Sequence, residues 1–255
     1  MDYRIVKGKD GKEFFYLTAQ SASITTSNDP EDLITSGGTM DFPFTYVNQS
    51  TRKFEEILGD YVGSTNEADV TDVTIVGLDQ KLNPLVQKVK LNGTTEVKLK
   101  NPFYRVNDII PSNNSAFSGN VSVTYQSKGD VSTTTFATLL AGEMNLRNAT
   151  YSPHKPLYID KIELISGVED IIANVIVYKI VSNSDSSIGN AVANQPAYRI
   201  PIKYIQFEKP SGVMPSCNCF EFKNPYCIKR GETIMVTVEE VSGTTILRCN
   251  IEGHF

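Results

Sequence analysis

Residues 88–100 read KVKLNGTTEVKLK. Apolar and basic residues alternate on both sides of an Asn-Gly pair, and a period of two is the mark of a half-buried strand. Val89 and Leu91 share one face, Val97 and Leu99 follow on the next strand, and Lys88, Lys90, Lys98 and Lys100 point to solvent or to a partner. Asn92-Gly93 supplies the turn, so the stretch is expected as a hairpin-like unit. No catalytic motif lies in it.

The same pattern continues along the chain. VTIVGL, LVQKVKL, TEVKL, FYRVNDI, NVSVTYQ, MNLRNATY, PLYIDKIELI, ANVIVYKIV, YRIPIKYIQF, NCFEF, TIMVTVEEV and TILRCNI are each separated by Gly, Pro, Asn or Ser turns. Many short strands without long helices imply an all-β fold, a sandwich or barrel. In NVSVTYQ, Val121, Val123 and Tyr125 alternate; ANVIVYKIV is apolar on both faces and suits a central strand. Pro201 places RIPIKY at a sheet edge or strand start. The stretch SNSDSSIGNAVANQ at 182–195 is long for a hairpin loop and is expected as a flexible or exposed contact loop. No repeat with a solenoid or propeller period is found.

Residues 1–64 differ in texture. EFFYLTA and SASITT suit strands, but TSNDPEDLITSGGT is polar and broken by Pro and Gly. STRKFEEILGDYVG is the best helix candidate, with Ser50 or Thr51 as cap, Phe54, Ile57 and Leu58 on one face, and Gly59 as terminator. The expected organisation is an N-terminal arm over 1–64 containing this short helix, then a jelly-roll-like antiparallel β-sandwich over 65–255, with a subdivision near 130 as the alternative.

The chain has 255 residues, 40% of them hydrophobic and 21% charged, enough for a sizeable core. A net charge of −5 speaks against a dedicated nucleic-acid binder. The lysines between Lys81 and Lys100 are better read as guards of sheet edges against mispairing than as a polyanion site. No apolar run approaches the length of a membrane span, and MDYRIVKGKDGKEF lacks the apolar region of a secretory signal, so neither membrane insertion nor ordinary secretion is expected.

Candidate chemistry is sparse. His154 and His254 are the two histidines, one in the turn SPHKP and the other penultimate, and neither sits in a nucleophile motif. Glu55–Glu56 and Glu239–Glu240 are adjacent pairs whose side chains diverge, which makes them poor acid/base partners. Asp29, Glu31 and Asp32 lack the ligand order of a calcium loop, and LLAGEMN lacks the glycines and lysine of a phosphate loop. Cys217, Cys219, Cys227 and Cys249 could in principle be thiols, a disulfide or, with His254, a zinc site. The CNC spacing is poor for zinc, and Cys249, alternating with Leu247 and Ile251, reads as a small buried apolar group. The Asn-x-Ser/Thr sequons at Asn48, Asn92, Asn113, Asn120 and Asn148 carry little weight in so Asn/Ser/Thr-rich a chain. No catalytic, cofactor-binding or metal-ligating residue is assigned, and no cofactor is expected.

Residues 70–109, VTDVTIVGLDQKLNPLVQKVKLNGTTEVKLKNPFYRVNDI, resemble a module of virion proteins of tailed double-stranded DNA phages and of some algal viruses. In that module a strand ends in a Gly-x-Asp turn, a second strand leads to LNGTT, and a further strand leads to an aromatic-x-Arg-Val segment. Gly77, Asp79, Leu91, Asn92, Gly93, Thr94, Thr95, Tyr104, Arg105 and Val106 occupy those places. TLLAGEMNLRNATYSPHKPLYIDKIEL and the ending YRIPIKYIQFEKPSGV…RGETIMVTVEEVSGTTILRCNIEGHF are similar to later segments of the family, departing from it at SPHKP. Residues 1–64 match nothing in it.

The resemblance implies a non-enzymatic β-sandwich subunit of a virus particle, made in the host cytoplasm, in a head-tail neck, tail, fibre-anchoring or head-decoration position. Its implied partners are other virion proteins (capsid, portal or neck, tail) and copies of itself in a symmetric ring or trimer, with neither membrane nor sequence-specific nucleic acid. A carbohydrate- or receptor-binding module, using the 182–195 loop and surface tyrosines, is the alternative. An unrecognised hydrolase is a third reading, and the lack of tryptophan and of an acid/base arrangement weakens both.

Overall fold

The computed structural model describes residues 2–20, 31–32, 38–40, 57–79, 81–112, 115–127, 134–144, 146, 150–166, 171–181, 198–209, 217–241 and 247–255. Every regular element among these is a strand. In chain order they are β1 (Asp2–Lys7), β2 (Glu13–Gln20), β3 (Glu31–Asp32), β4 (Gly38–Met40), β5 (Ile57–Ser64), β6 (Asp72–Asp79), β7 (Pro84–Lys90), β8 (Val97–Lys98) and β9 (Phe103–Pro111). There follow β10 (Val121–Ser127), β11 (Thr134–Leu139), β12 (Thr150–Tyr151), β13 (Leu157–Ser166), β14 (Ile171–Val181), β15 (Tyr198–Lys209), β16 (Cys217–Ile228), β17 (Thr233–Val241) and β18 (Leu247–His254). Contacts divide the chain into two compact units, Met1–Ser36 with Arg147–Ile180 and Arg199–Phe255, and Gly37–Leu146 with Val181–Tyr198.

The first unit holds one sheet of five strands in the order β1-β2-β18-β13-β16 and a second of five strands, in the order β12-β17-β14-β15 with β3 also on β17. Alternation explains its core. Phe15 and Leu17 of β2, Leu157, Ile159, Ile162 and Leu164 of β13, and Leu247, Cys249 and Ile251 of β18 turn inward to meet Val175, Val177, Ile234 and Val236 of the second sheet. Each such aliphatic side chain contributes about 1.5–3 kcal/mol through burial. As expected, β14 is interior to its sheet, and Pro201 lies on β15, the terminal strand of that sheet among the described residues, where proline is tolerated.

The second unit also has two sheets, β4-β11-β10-β5-β8 and β7-β6-β9, around one core. Val62, Val73, Ile75, Leu91, Leu99, Phe103, Val106, Ile109, Val121 and Val123 are all buried there. The alternation in KVKLNGTTEVKLK holds: Leu91 and Leu99 are buried, Val89 and Val97 half-buried, and the four lysines exposed. The hairpin expectation does not. β7 pairs with β6 and β8 with β5, so the Asn-Gly turn carries the chain from one sheet to the other. Thr95 N donates to Asn92 O at 3.1 Å across the turn, and Gly93 stands at φ +59°. Its N donates to Asp69 O and its O accepts from Ser64 N, at 3.0 and 3.1 Å, which clamps the corner.

The helix expected around residues 50–59 is not found where the chain is described. Residues 51–56 lie outside the described residues, and Ile57–Ser64 is strand β5, paired with β10 and β8. Two glycines, Gly59 and Gly63, weaken any helix there, whereas Asp60 and Val62 alternate with Tyr61 as a strand requires. The compact units also do not follow the boundary at 64. The segment expected as an arm supplies β1, β2 and β3 to one unit and β4 and β5 to the other. SASITT and the 182–195 loop lie outside the described residues.

Candidate functional site

None of the catalytic readings considered from the sequence finds an assembled group among the described residues. His154 is half-buried, its ring 5.7 Å from that of Phe255; burial, then the charge of Lys155, hold its pKa below the usual imidazole value. His254 lies two strands from β16, stacked on Tyr158 at 5.4 Å between centroids. Among the described residues no group of three or more His, Cys, Asp or Glu is placed to hold a metal ion. Glu31 and Asp32 form β3, while Glu55 and Glu56 lie outside the described residues. No helix among the described residues is long and apolar enough to cross a membrane.

The cysteines separate by face. Cys249 is fully buried, and burial, then the nearby charge of Glu163, push its thiol up to about 12, so it behaves as a small apolar group. Cys219 and Cys227, also free, are exposed and half-buried on the opposite side of the same sheet. The buried thiol expected at Cys249 is found, whereas Cys219 is exposed because CNCFEF alternates in the other phase.

The most distinctive surface is the outer face of the β1-β2-β18-β13-β16 sheet. Register places Val6 opposite Phe14, Phe14 opposite His254, His254 opposite Tyr158 and Tyr158 opposite Cys227, a row crossing all five strands. Val6 is 48% exposed, Phe14 36% and Tyr158 39%. A bulge on β13 leaves Asp160 unpaired between Ile159 and Lys161, and this re-aims its carboxylate to His254 Nδ1 at 2.8 Å. Opposite the bulge, a Cβ on Gly253 would stand 2.3 Å from Tyr158 O, so glycine is required there.

The adjacent rows are charged. Lys161 Nζ reaches Glu163 at 3.7 Å and Glu252 at 3.8 Å, and Asn250 Nδ2 donates to Glu163 Oε2 at 2.8 Å. At the start of β2, Lys155 pairs with Glu13, which Lys7 also approaches at 3.7 Å. Sequence alternation in EFFYLTA carried the signal for Phe14 and Tyr16 facing out. Nothing in it indicated that Val6, Tyr158 and His254 would line up beside them.

The residues of the 70–109 module act on backbone geometry. Asp79 Oδ1 accepts from Lys81 N and Asn83 N at 2.8 Å each, and holds a turn in which Leu82 adopts φ 62°. Gly77 admits the close passage of β9. Gln87 ties the bend after β8: its Nε2 donates to Asn101 O at 2.7 Å, and its Oε1 accepts from Lys100 N and Asn101 N. The LNGTT corner rests on Asp69, which sequence reading missed. Asp69 accepts from Ser64 Oγ at 2.6 Å and from Ser118 N and Gly119 N at 2.9 Å. Burial alone would raise its pKa, but these three donors outweigh it and hold the carboxylate below its ordinary value.

No protein-family model and no curated protein sequence matches the chain. Among solved structures it is similar to a chain from infectious bursal disease virus, Gx strain, with a TM-score of 0.27 and 10% identity, covering 99% of this chain and 72% of that one. It is also similar to the mavirus penton protein, with a TM-score of 0.17 and 9% identity, covering 94% and 99% of the two chains. At these scores the two likenesses decide neither fold nor function.

Proposed function

We propose that this chain is a non-enzymatic structural subunit of a virus particle, acting through contacts with other subunits. The observation that carries the reading is the exposed Val6–Phe14–His254–Tyr158 row on the outer face of the β1-β2-β18-β13-β16 sheet. Scattered exposed apolar groups are ordinary on a soluble protein, whereas a continuous row bordered by charges has the make-up of a contact surface. The resemblance of residues 70–109 to a virion module supports the same reading. The partners would be other virion proteins and further copies of the chain in a ring or trimer, where many modest contacts add. Neck, tail, fibre-anchoring and head-decoration positions are all compatible with it.

Quantitative mass spectrometry of purified particles tests the proposal, with the native chain compared against Tyr158→Asp. The native chain should be present at a fixed ratio to the major capsid protein. Roughly a dozen copies or fewer would indicate a ring at a portal vertex or tail, and on the order of hundreds a head-decoration role. Tyr158→Asp should fold, by circular dichroism, yet be depleted from particles at least about tenfold. Absence of the native chain from the particle would sink the structural reading.

A further inference from the structure

Burial raises the Asp60 carboxyl to about 7. It lies in β5, a strand of the five-stranded sheet of the second unit, and faces inward beside Val62, with 1% of its surface exposed. Its Oδ2 accepts from Phe103 N at 2.5 Å. Phe103 opens β9 in the other sheet of that unit, so this hydrogen bond runs from sheet to sheet. The other oxygen, Oδ1, is buried and has no hydrogen-bond partner. A carboxylate placed there would leave half its charge without a donor in an apolar core, whereas a neutral carboxyl can still accept from Phe103 N through its carbonyl oxygen.

Charged and titratable neighbours do not relieve this. On β10, Tyr125 stands directly opposite Asp60. On β8, Lys98 extends over the Tyr61 ring, on the other face of β5. On β9, Arg105 lies two residues beyond Phe103. The forces acting on the carboxyl are burial, which raises its proton affinity, and the Phe103 amide, which opposes it.

We infer that Asp60 is a proton-held tie between the two sheets of the second unit: the neutral carboxyl locks β5 to the start of β9, and loss of the proton loosens that junction. The sign follows from linkage. A carboxyl that binds its proton more tightly when folded than when unfolded adds stability fully present below the ordinary carboxylate pKa and lost as pH rises through the folded value. That places the loss between about pH 4 and pH 7. The inference concerns a conformational device in the fold and does not depend on the virion reading.

The test uses the full chain. The Asp60 side-chain carboxyl carbon is followed by NMR from pH 4 to 9, and exchange of the Phe103 amide is measured over the same range. The carboxyl should titrate near neutrality, and Phe103 exchange, corrected for intrinsic rate, should speed up as the proton leaves. Asp60→Asn retains the acceptor for Phe103 N and cannot ionise. In this variant the rise in exchange should vanish, and the unfolding equilibrium should lose up to about a thousandfold of its pH dependence between pH 4 and 8. A carboxyl that titrates below pH 5 in the native chain overturns the inference, even if the variant fails to fold. So does a pH dependence of Phe103 exchange that persists in a folded Asp60→Asn.

Discussion

Asp60 and Asp69 show how one residue type acquires opposite properties within a single unit. Both are nearly buried, but Asp69 receives three donors and is held below its ordinary pKa, whereas Asp60 receives one and is raised. The donors around Asp69 include residues far along the chain, Ser118 and Gly119, so its role could not be read locally. Gly77 is the reverse case, a module residue whose need for glycine is purely steric. A Cβ there would lie 1.8 Å from Arg105 O and 3.0 Å from Phe103 Cδ1, at a register shift between β6 and β9. Gly77→Ala should therefore cost about 3 kcal/mol or more in denaturant unfolding, since the obstacle is backbone and cannot rotate away. A loss below about 0.5 kcal/mol would mean the two strands separate there at little cost.

Among the strands, β2 places consecutive aromatic residues on opposite faces. Phe15 is fully buried, 4.6 Å from the Tyr151 ring, while Phe14 belongs to the exposed row. Phe15→Ala should lower the unfolding free energy by about 3–5 kcal/mol, and Phe14→Ser by under about 1 kcal/mol. Equal effects on stability would contradict the assignment of faces. The assembly effect should run the other way, with Phe14→Ser alone lowering incorporation while leaving the fold intact. Strand β5 shows why composition misled: Ile57 and Leu58 fit a helix face, but the chain around Gly59 and Gly63 is captured by β10 and β8. Short apolar runs are ambiguous between helix and strand until a neighbour offers hydrogen bonds.

Across the full chain, the two ends meet in one sheet. β2 pairs with β18 from Arg248↔Gln20 to His254↔Phe14, and Phe255 N donates to Glu13 O at 3.0 Å. A truncated chain lacking residues 1–20 would expose the edge of β18 and lose Phe15 and Leu17 from the core. It should be insoluble or unfolded by circular dichroism. A soluble, folded product would mean that the segment is a detachable arm after all, as the polar texture of residues 1–64 suggests. Long-range pairing of this kind sets which surfaces exist, and so governs the contact row assigned to assembly.

Local rules were enough to read that the chain is all-β where it is described, that Leu91 and Leu99 turn inward while their lysines turn out, that Cys249 is buried and that Pro201 sits on a terminal strand. Each follows from the two-residue pleat, the bulk of a side chain, or a missing N–H. Folding in three dimensions was needed to show that β7 and β8 join different sheets, that the first strands close on the last, that Val6, Phe14, His254 and Tyr158 form one row, and that a carboxyl stands in the core at Asp60. Alternation says which face a side chain takes. The partner of a strand is chosen by hydrogen bonds and apolar contacts between segments far apart in the chain, and no local pattern encodes that choice.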